Sequence, residues 1–219
     1  LLDGLDRGSI LYGNASSATT VLGQGTADQV LTSDGTDIAW ADASGGGISG
    51  LTGLVENNSI WLGNDPSGTT STAEYNVAVG TTAMESITTG DKNVAIGYDA
   101  LATSTTGTSN TCVGWEAGTN ATSDGNTLIG YDAGRNITTG GGNICIGSTV
   151  GDLLGSSGSN VCIGNSNCES GANGNGKLVM IGTFSGRGNG GKAAFSVGIG
   201  HSSLYSAATS EYNQAIGYQ

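Results

Sequence analysis

From residue 58 onward, apolar residues recur in triplets, each closed by a glycine: SIWLG, NVAVG, NVAIG, NTCVG, NTLIG, NICIG, NVCIG, LVMIG, SVGIG and NQAIG. The closing glycines are Gly63, Gly80, Gly97, Gly114, Gly130, Gly147, Gly164, Gly182, Gly200 and Gly217, separated by 17, 17, 17, 16, 17, 17, 18, 18 and 17 residues. One short strand per copy at a near-constant period is the signature of a solenoid, in which each copy makes one coil and stacks on the next. About ten coils at ~4.8 Å each predict a stack of roughly 50 Å.

The columns of the repeat have distinct physical roles. Four residues before the closing glycine stands Asn76, Asn93, Asn110, Asn126, Asn143, Asn160 and Asn213. Stacked asparagines can form amide ladders and tolerate the corner conformation that starts a strand. One and three residues before the glycine, the residues are mostly Val, Ile or Thr; Val94 and Ile96 are an example. Between them lies a smaller apolar column: Ala78, Ala95, Cys112, Leu128, Cys145, Cys162, Met180, Gly198 and Ala215. Alternation puts these two sets on opposite faces of each strand. One face fills the coil's own narrow interior. The other requires cover from outside, most simply from identical chains. A second turn is predicted about ten residues after each glycine, at Thr89-Gly90, Thr106-Gly107, Asp124-Gly125 and Thr139-Gly140.

Residues 1–50 follow another pattern. SILYG (9–13), TTVLG (19–23), QVLTSDG (29–35) and DIAWAD (37–42) read as short strands, with a hairpin turn at Ser33-Asp34-Gly35-Thr36 and a linker at 43–50. The expected organisation is a small β module over 1–50 and a β-roll over 51–219. The repeats become less regular over 171–192, and the expectation is that the natural protein continues past Gln219, because an uncapped solenoid end exposes a strand edge.

Composition refines this picture. The 219 residues include 41 glycines and one proline, but the 36% apolar residues are placed regularly, which favours order over a flexible linker. Six basic against 18 acidic residues argue against nucleic-acid binding and against docking on anionic membranes. No apolar run reaches the ~18 residues of a spanning helix, and LLDGLDRGS lacks the features of a signal peptide. Cys112, Cys145, Cys162 and Cys168 match neither a zinc motif nor a disulfide framework. The first three fall in the small apolar column and are expected to be reduced and buried, with Cys168 in a turn and open to solvent.

Candidate chemistry is sparse. GANGNGK (171–177) and the stretch from Gly186 to Lys192 mimic a phosphate-binding loop but lack the following Ser or Thr and helix. His201 is the sole histidine and has no partner set for a triad. No enzymatic activity, cofactor or metal is expected. Asp99, Glu116 and Asp132 share one column and could attract a cation, but a solvated acidic edge is the preferred reading. Tyr98, Trp115 and Tyr131 share the column directly after the glycine. They form the candidate contact patch: either a flat platform for saccharide rings or aromatic stacking that stabilises neighbouring coils. Asn14, Asn57, Asn120 and Asn136 begin glycosylation sequons, which matter only in a eukaryotic secretory setting.

NVAIGYDAL, NTCVGWEAG, NTLIGYDAG and NICIG resemble the head repeats of trimeric autotransporter adhesins, and more closely the repeats of bacteriophage tail fibres. The opening LDRGSILYGNASSATTVLGQGTADQVLTSDGTDIAWAD resembles a module of phage structural proteins. The resemblance implies a left-handed parallel β-roll, an intertwined or side-by-side homotrimer, and a virion fibre that contributes to host attachment. Its implied partners are other virion proteins and a host surface glycan or protein, without membrane insertion. The alternatives are the head of a bacterial adhesin on the outer surface and an ice-binding solenoid. Thr pairs at 88–89, 105–106 and 138–139 suggest the latter, but the pairing is broken at Ser123-Asp124.

Overall fold

The computed structural model describes residues 6–13, 16, 18–26, 29–33, 38–42, 53–63, 66, 68–168, 177–187, 195–205 and 212–218. The chain divides into two compact units, Leu1–Ile48 and Ser49–Gln219.

The first unit holds two antiparallel pairs. Strand β1 (Ile10–Gly13) pairs with β2 (Thr19–Leu22), and β3 (Gln29–Ser33) pairs with β4 (Ile38–Asp42). The Trp40 indole donates to the Gly23 carbonyl at 2.5 Å, and its ring lies where a side chain at Gly25 would stand. Only Ser33 of the expected Ser33–Thr36 turn, and none of the 43–50 linker, falls within the described residues.

The second unit is an all-β parallel solenoid. It opens with a hairpin, β5 (Gly53–Glu56) and β6 (Ser59–Leu62). Asn57 and Asn58 both have positive φ, as a tight two-residue hairpin turn requires. Then follow β7 (Val77–Val79), β8 (Val94–Ile96), β9 (Thr111–Val113), β10 (Thr127–Ile129), β11 (Ile144–Ile146), β12 (Val161–Ile163), β13 (Val179–Ile181), β14 (Val197–Ile199) and β15 (Gln214–Ile216). From β6 to β15 every strand pairs in parallel with its sequence neighbour, and each small-column residue lies beside the next, as Ala95 beside Cys112. The hairpin was not foreseen from the repeat. It places β5 along the first edge of the parallel sheet and sets the fully buried Trp61 at the start of the interior column.

The middle residue of each triplet points inward. Ala78, Ala95, Cys112, Leu128, Cys145, Cys162 and Met180 are fully buried. The flanking β-branched columns point outward and are partly exposed, with Ile96 at 38% and Ile144 at 39%. The smaller column therefore fills the coil, and the larger one is left uncovered.

The interior shows a volume exchange within each coil. The inward strand residue faces the residue four positions after the closing glycine. Ala78 and Ala95 are matched by the buried Met84 and Leu101. Cys112, Leu128, Cys145 and Met180 are matched by Gly118, Gly134, Gly151 and Gly186. A Cβ at Gly134 would come within 2.7 Å of Leu128 and 2.9 Å of Ile137. In the sixth full coil the two positions are Cys162 and Cys168, joined by a disulfide with Cα atoms 6.3 Å apart. This corrects the sequence expectation twice: Cys162 is not reduced, and Cys168 is buried. The shared pairing position across the coil, rather than any cysteine spacing motif, brings the two sulfurs together.

The buried asparagines tie the coils to one another. Asn93 donates its backbone N–H and its Nδ2 to the Asn76 Oδ1, at 2.9 and 3.1 Å. The same pair of bonds repeats at Asn110, Asn126, Asn143 and Asn160. The remaining amide hydrogen reaches across the coil to a second-turn carbonyl, Gly90 for Asn76, Gly107 for Asn93 and Ser123 for Asn110. In the 16-residue copy the accepting carbonyl, Ser123, opens a bend that includes the expected Asp124-Gly125. Ser59 starts the ladder, and its last acceptor, Asn160 Oδ1, takes the N–H of Leu178.

Removing one rung leaves two buried donors of the next coil unpaired, each costing about 1–3 kcal/mol. Asn126→Ala is expected to destabilise the second unit by about 2–5 kcal/mol in chemical denaturation, with no change in the far-UV spectrum of the native state. Gly134→Ala alone is expected to cost about 1–3 kcal/mol through overpacking. In the double variant Leu128→Ala, Gly134→Leu, which copies the Ala95–Leu101 arrangement, the double-mutant cycle should show favourable coupling above about 1 kcal/mol. Additive losses would refute the volume exchange.

Candidate functional site

The corner that follows each strand is a run of alternating left-handed residues. Gly97 has φ +132°, and a Cβ there would come within 2.6 Å of the Gly114 carbonyl carbon, so the position accepts only glycine. Asp99 follows with φ 52° and Leu101 with φ 54°. Glu116 and Asp132 repeat the Asp99 geometry at φ 53° each. Such conformations cost non-glycine residues about 1–2 kcal/mol each in isolation. Here they turn the backbone polar groups along the stack. Glu116 donates its N–H to the Tyr98 carbonyl at 2.8 Å, and Asp132 to the Trp115 carbonyl at 2.9 Å. The inter-coil bonds hold the corner, and the side chain between the two positive-φ residues is left outside.

That side chain is Tyr98, Trp115 or Tyr131, exposed at 40%, 49% and 54%. The structure brings Tyr98 and Trp115 together as a stacked pair, with ring centroids 4.3 Å apart and planes 23° from parallel. Tyr131 lies on the next coil, and no ring contact joins it to Trp115 among the described residues. Trp115 is further fixed by its indole N–H, which donates to Glu116 Oε1 at 3.0 Å. Glu116 in turn pairs with Arg135 Nε at 2.9 Å, and Asp132 lies 4.0 Å from the same guanidinium. The aromatic pair is therefore held in place before any ligand arrives, which lowers the ordering cost of binding.

The acidic column has its charge largely answered within the chain. Asp99 accepts a hydrogen bond from the Thr82 hydroxyl, and Arg135 serves both Glu116 and Asp132. Partial burial pushes the Asp132 carboxyl up, against the opposing pull of Arg135. The Asp99 carboxylate pushes the exposed Tyr98 phenol up. Among the described residues no group of three or more His, Cys, Asp and Glu is arranged to hold a metal ion. Among the same residues no helix is long and apolar enough to cross a membrane.

Two threonine hydroxyls on this side bond along the stack. Thr88 donates to the Thr105 carbonyl at 2.9 Å, and Thr122 donates to the Thr138 carbonyl at 3.1 Å. His201 stands in the same column as Tyr98, on an outer corner, with Ser202 Oγ 3.0 Å from its Nδ1. Of the two glycine-rich stretches, only Lys177 of the first and Gly186 and Arg187 of the second lie within the described residues; Asn14 lies outside them.

Sequence reasoning stopped at three aromatics in this column, but the column resumes further along. His201 and Tyr218 stack with centroids 5.2 Å apart, and Phe184 meets His201 edge-on at 5.7 Å. On the corner before the strands, Phe195 and Tyr212 stack at 5.0 Å with the Lys177 ammonium 5.0 Å over Phe195. Counting from the closing glycine would have revealed His201 and Tyr218. Phe184, Phe195 and Tyr212 stand beside the longer turns, where the register is harder to read.

Compared with known proteins, the chain matches no family model, no curated protein and no solved structure.

The two unpaired thiols, Cys112 and Cys145, lie fully inside the coil, and burial pushes each up from an ordinary 9.0 to about 12. A folded value above the unfolded one means that the unfolded chain loses its thiol protons first as pH rises. The stabilising contribution is complete below about pH 9 and disappears by about pH 12. Native protein at pH 8 should leave both thiols unreactive to a thiol reagent, with two released on denaturation. Cys112→Ala should make stability above pH 9 measurably less sensitive to alkali.

Proposed function

We propose that this chain is a structural fibre segment of a phage virion, a tail fibre or another appendage, that contributes to host attachment as a homotrimer. The observation that carries the reading is the uncovered outward face of the sheet. From β7 to β14 each strand presents outward two apolar or Thr side chains, in register with those of its neighbours. The resulting stripe is half-exposed and low in charge, and apolar patches of this extent on soluble proteins mark interfaces. An identical chain offers an identical stripe, so the face is self-complementary in composition. Each coil closes within one chain, and the strands follow one another in sequence order, which supports side-by-side rather than intertwined assembly.

Two further observations fit the setting. A buried disulfide suits a protein that works in an oxidising exterior. A stack with one edge covered by a hairpin and every coil hydrogen-bonded to the next offers few openings for proteolysis. The wording of the repeat, with its resemblance to phage fibres, supplies the biological class. The preorganised Tyr98–Trp115 pair, with Tyr131 beside it, is the contact patch assigned to this reading, for a host glycan or protein.

Light scattering on the folded protein should give three times the 21.5 kDa chain mass. Ile144→Asp places a charge on the outward stripe and should yield a chain of monomer mass that retains its β-rich spectrum. A wild-type monomer would overturn the trimer.

A further inference from the structure

The two ends of the Tyr98–Trp115 pair differ. At one end, Trp115 is tied to Glu116, and the Arg135 guanidinium answers both Glu116 and Asp132. At the other end, Tyr98 has no cation beside it among the described residues. Its ring is covered on one side by Trp115, at 4.3 Å between centroids. On the other side the preceding coil supplies only Thr81 in the same column. One face of an exposed ring is therefore left without a second ring over it.

Carboxylates border that end. Asp99 follows Tyr98 directly, and its Oδ1 is held by the Thr82 hydroxyl of the preceding coil. Glu85, on that same preceding coil, is exposed and joins no ion pair among the described residues. Their charge reaches the ring. Asp99 is the main cause that pushes the Tyr98 phenol up, and Glu116 and Glu85 push the same way. From Gly80 to Gly118 the chain carries Glu85, Asp91, Asp99 and Glu116 against Lys92 alone, and Lys92 stands on the corner at the other end of β8.

These features select a ligand. The face of a tyrosine ring is the negative end of its quadrupole and attracts a cation placed over it. A carboxylate beside it adds a charge-assisted hydrogen bond to an ammonium. The ring also offers a flat apolar area suited to one face of a pyranose. The stack on Trp115 and the Thr82 bond to Asp99 hold both groups in place beforehand, which lowers the ordering cost.

We propose that the open face of Tyr98, with Asp99 and Glu85 beside it, binds an amine-bearing saccharide, a hexosamine unit whose nitrogen is free and protonated. The sugar ring lies on Tyr98 and the ammonium meets the two carboxylates. A sugar bearing a carboxylate is repelled from the same place. The inference rests on the attachment reading, because it names the ligand of the patch assigned there.

Isothermal titration of the whole chain at about pH 6, where a sugar amine is protonated, compares a glucosamine trisaccharide with its N-acetylated counterpart. The free amine should bind about tenfold more tightly, and less tightly as ionic strength rises from about 0.05 to 0.5 M. Tyr98→Ala leaves the charge of the chain unchanged and should weaken glucosamine binding about tenfold. Glu85→Gln should weaken it about threefold. Glu74→Gln removes the same charge from the corner that precedes β7 and should leave binding unchanged. Equal affinity for the two sugars in the wild-type chain overturns the proposal whether or not the variants fold, as does binding of neither. Full affinity in folded Tyr98→Ala, or equal losses in Glu85→Gln and Glu74→Gln, reduces the effect to general attraction by an acidic chain and overturns it too. An N-acetylated sugar bound as tightly and lost in Tyr98→Ala removes the amine but leaves the contact patch standing, and the trimer is decided by mass alone.

Discussion

The amide ladder sets what the rest of the solenoid can do. Each buried asparagine oxygen accepts two hydrogen bonds from the next coil, and each amide nitrogen donates one to the neighbouring rung and, for the central coils, one across to the second turn. A carboxamide is the smallest side chain that can accept twice and donate twice. The arrangement therefore fixes three things together: the height of the next coil, the start of its strand, and the width of the interior. With the width fixed, the interior holds about one medium side chain per coil between the strand and the corner. The exchange between strand residue and corner residue follows, from Ala95 with Leu101 to Leu128 with Gly134.

The disulfide is a variant of the same exchange. The pair of positions that elsewhere holds Ala with Leu, or Cys with Gly, holds two cysteines in the coil of Cys162 and Cys168. It occurs where the ladder ends. Leu178 occupies the next asparagine position, so the Asn160 oxygen receives a backbone N–H but no further rung. A covalent link of this loop size restricts the unfolded chain by about 2 kcal/mol, similar in scale to the interactions of a rung. The coil that loses its amide neighbour thus has a second constraint of comparable strength.

Much of this was legible in the sequence, for a physical reason. The period, the asparagine column and the alternation along each triplet are consequences of stacking identical units, and stacking leaves a regular trace. The direction of the triplet was not legible, because both of its faces are apolar; only the size difference between Ala95 and its neighbours Val94 and Ile96 pointed to a narrow interior. The opening hairpin was hidden because Asn57-Asn58 supplies positive φ without glycine. The disulfide was hidden because spacing along the chain says little about which columns face each other across a coil. In the site, the Tyr98–Trp115 column was readable, but its anchoring through Glu116 and Arg135 required the corner geometry.

The corner separates structural constraint from surface chemistry. Its backbone is specified by the closing glycine, by the left-handed residue two positions later, and by hydrogen bonds to adjacent coils. The residue between them has its carbonyl engaged by the next coil and its side chain outside, so its identity is nearly free of the fold. That freedom is visible in the column itself, which runs Thr81, Tyr98, Trp115, Tyr131, Ser148, Asn165, Thr183, His201 and Tyr218 over nearly identical backbones. Because coils stack at the spacing of β-strands, about 4.8 Å, aromatic residues on consecutive coils can come face to face, as Tyr98 does with Trp115 and His201 with Tyr218. Charge is then set by the neighbouring positions, acidic at Asp99 and Glu116 and cationic at Arg187. A rigid interior that repeats and a corner that varies give the solenoid a way to carry chemically different surfaces along one chain without changing the coil beneath them.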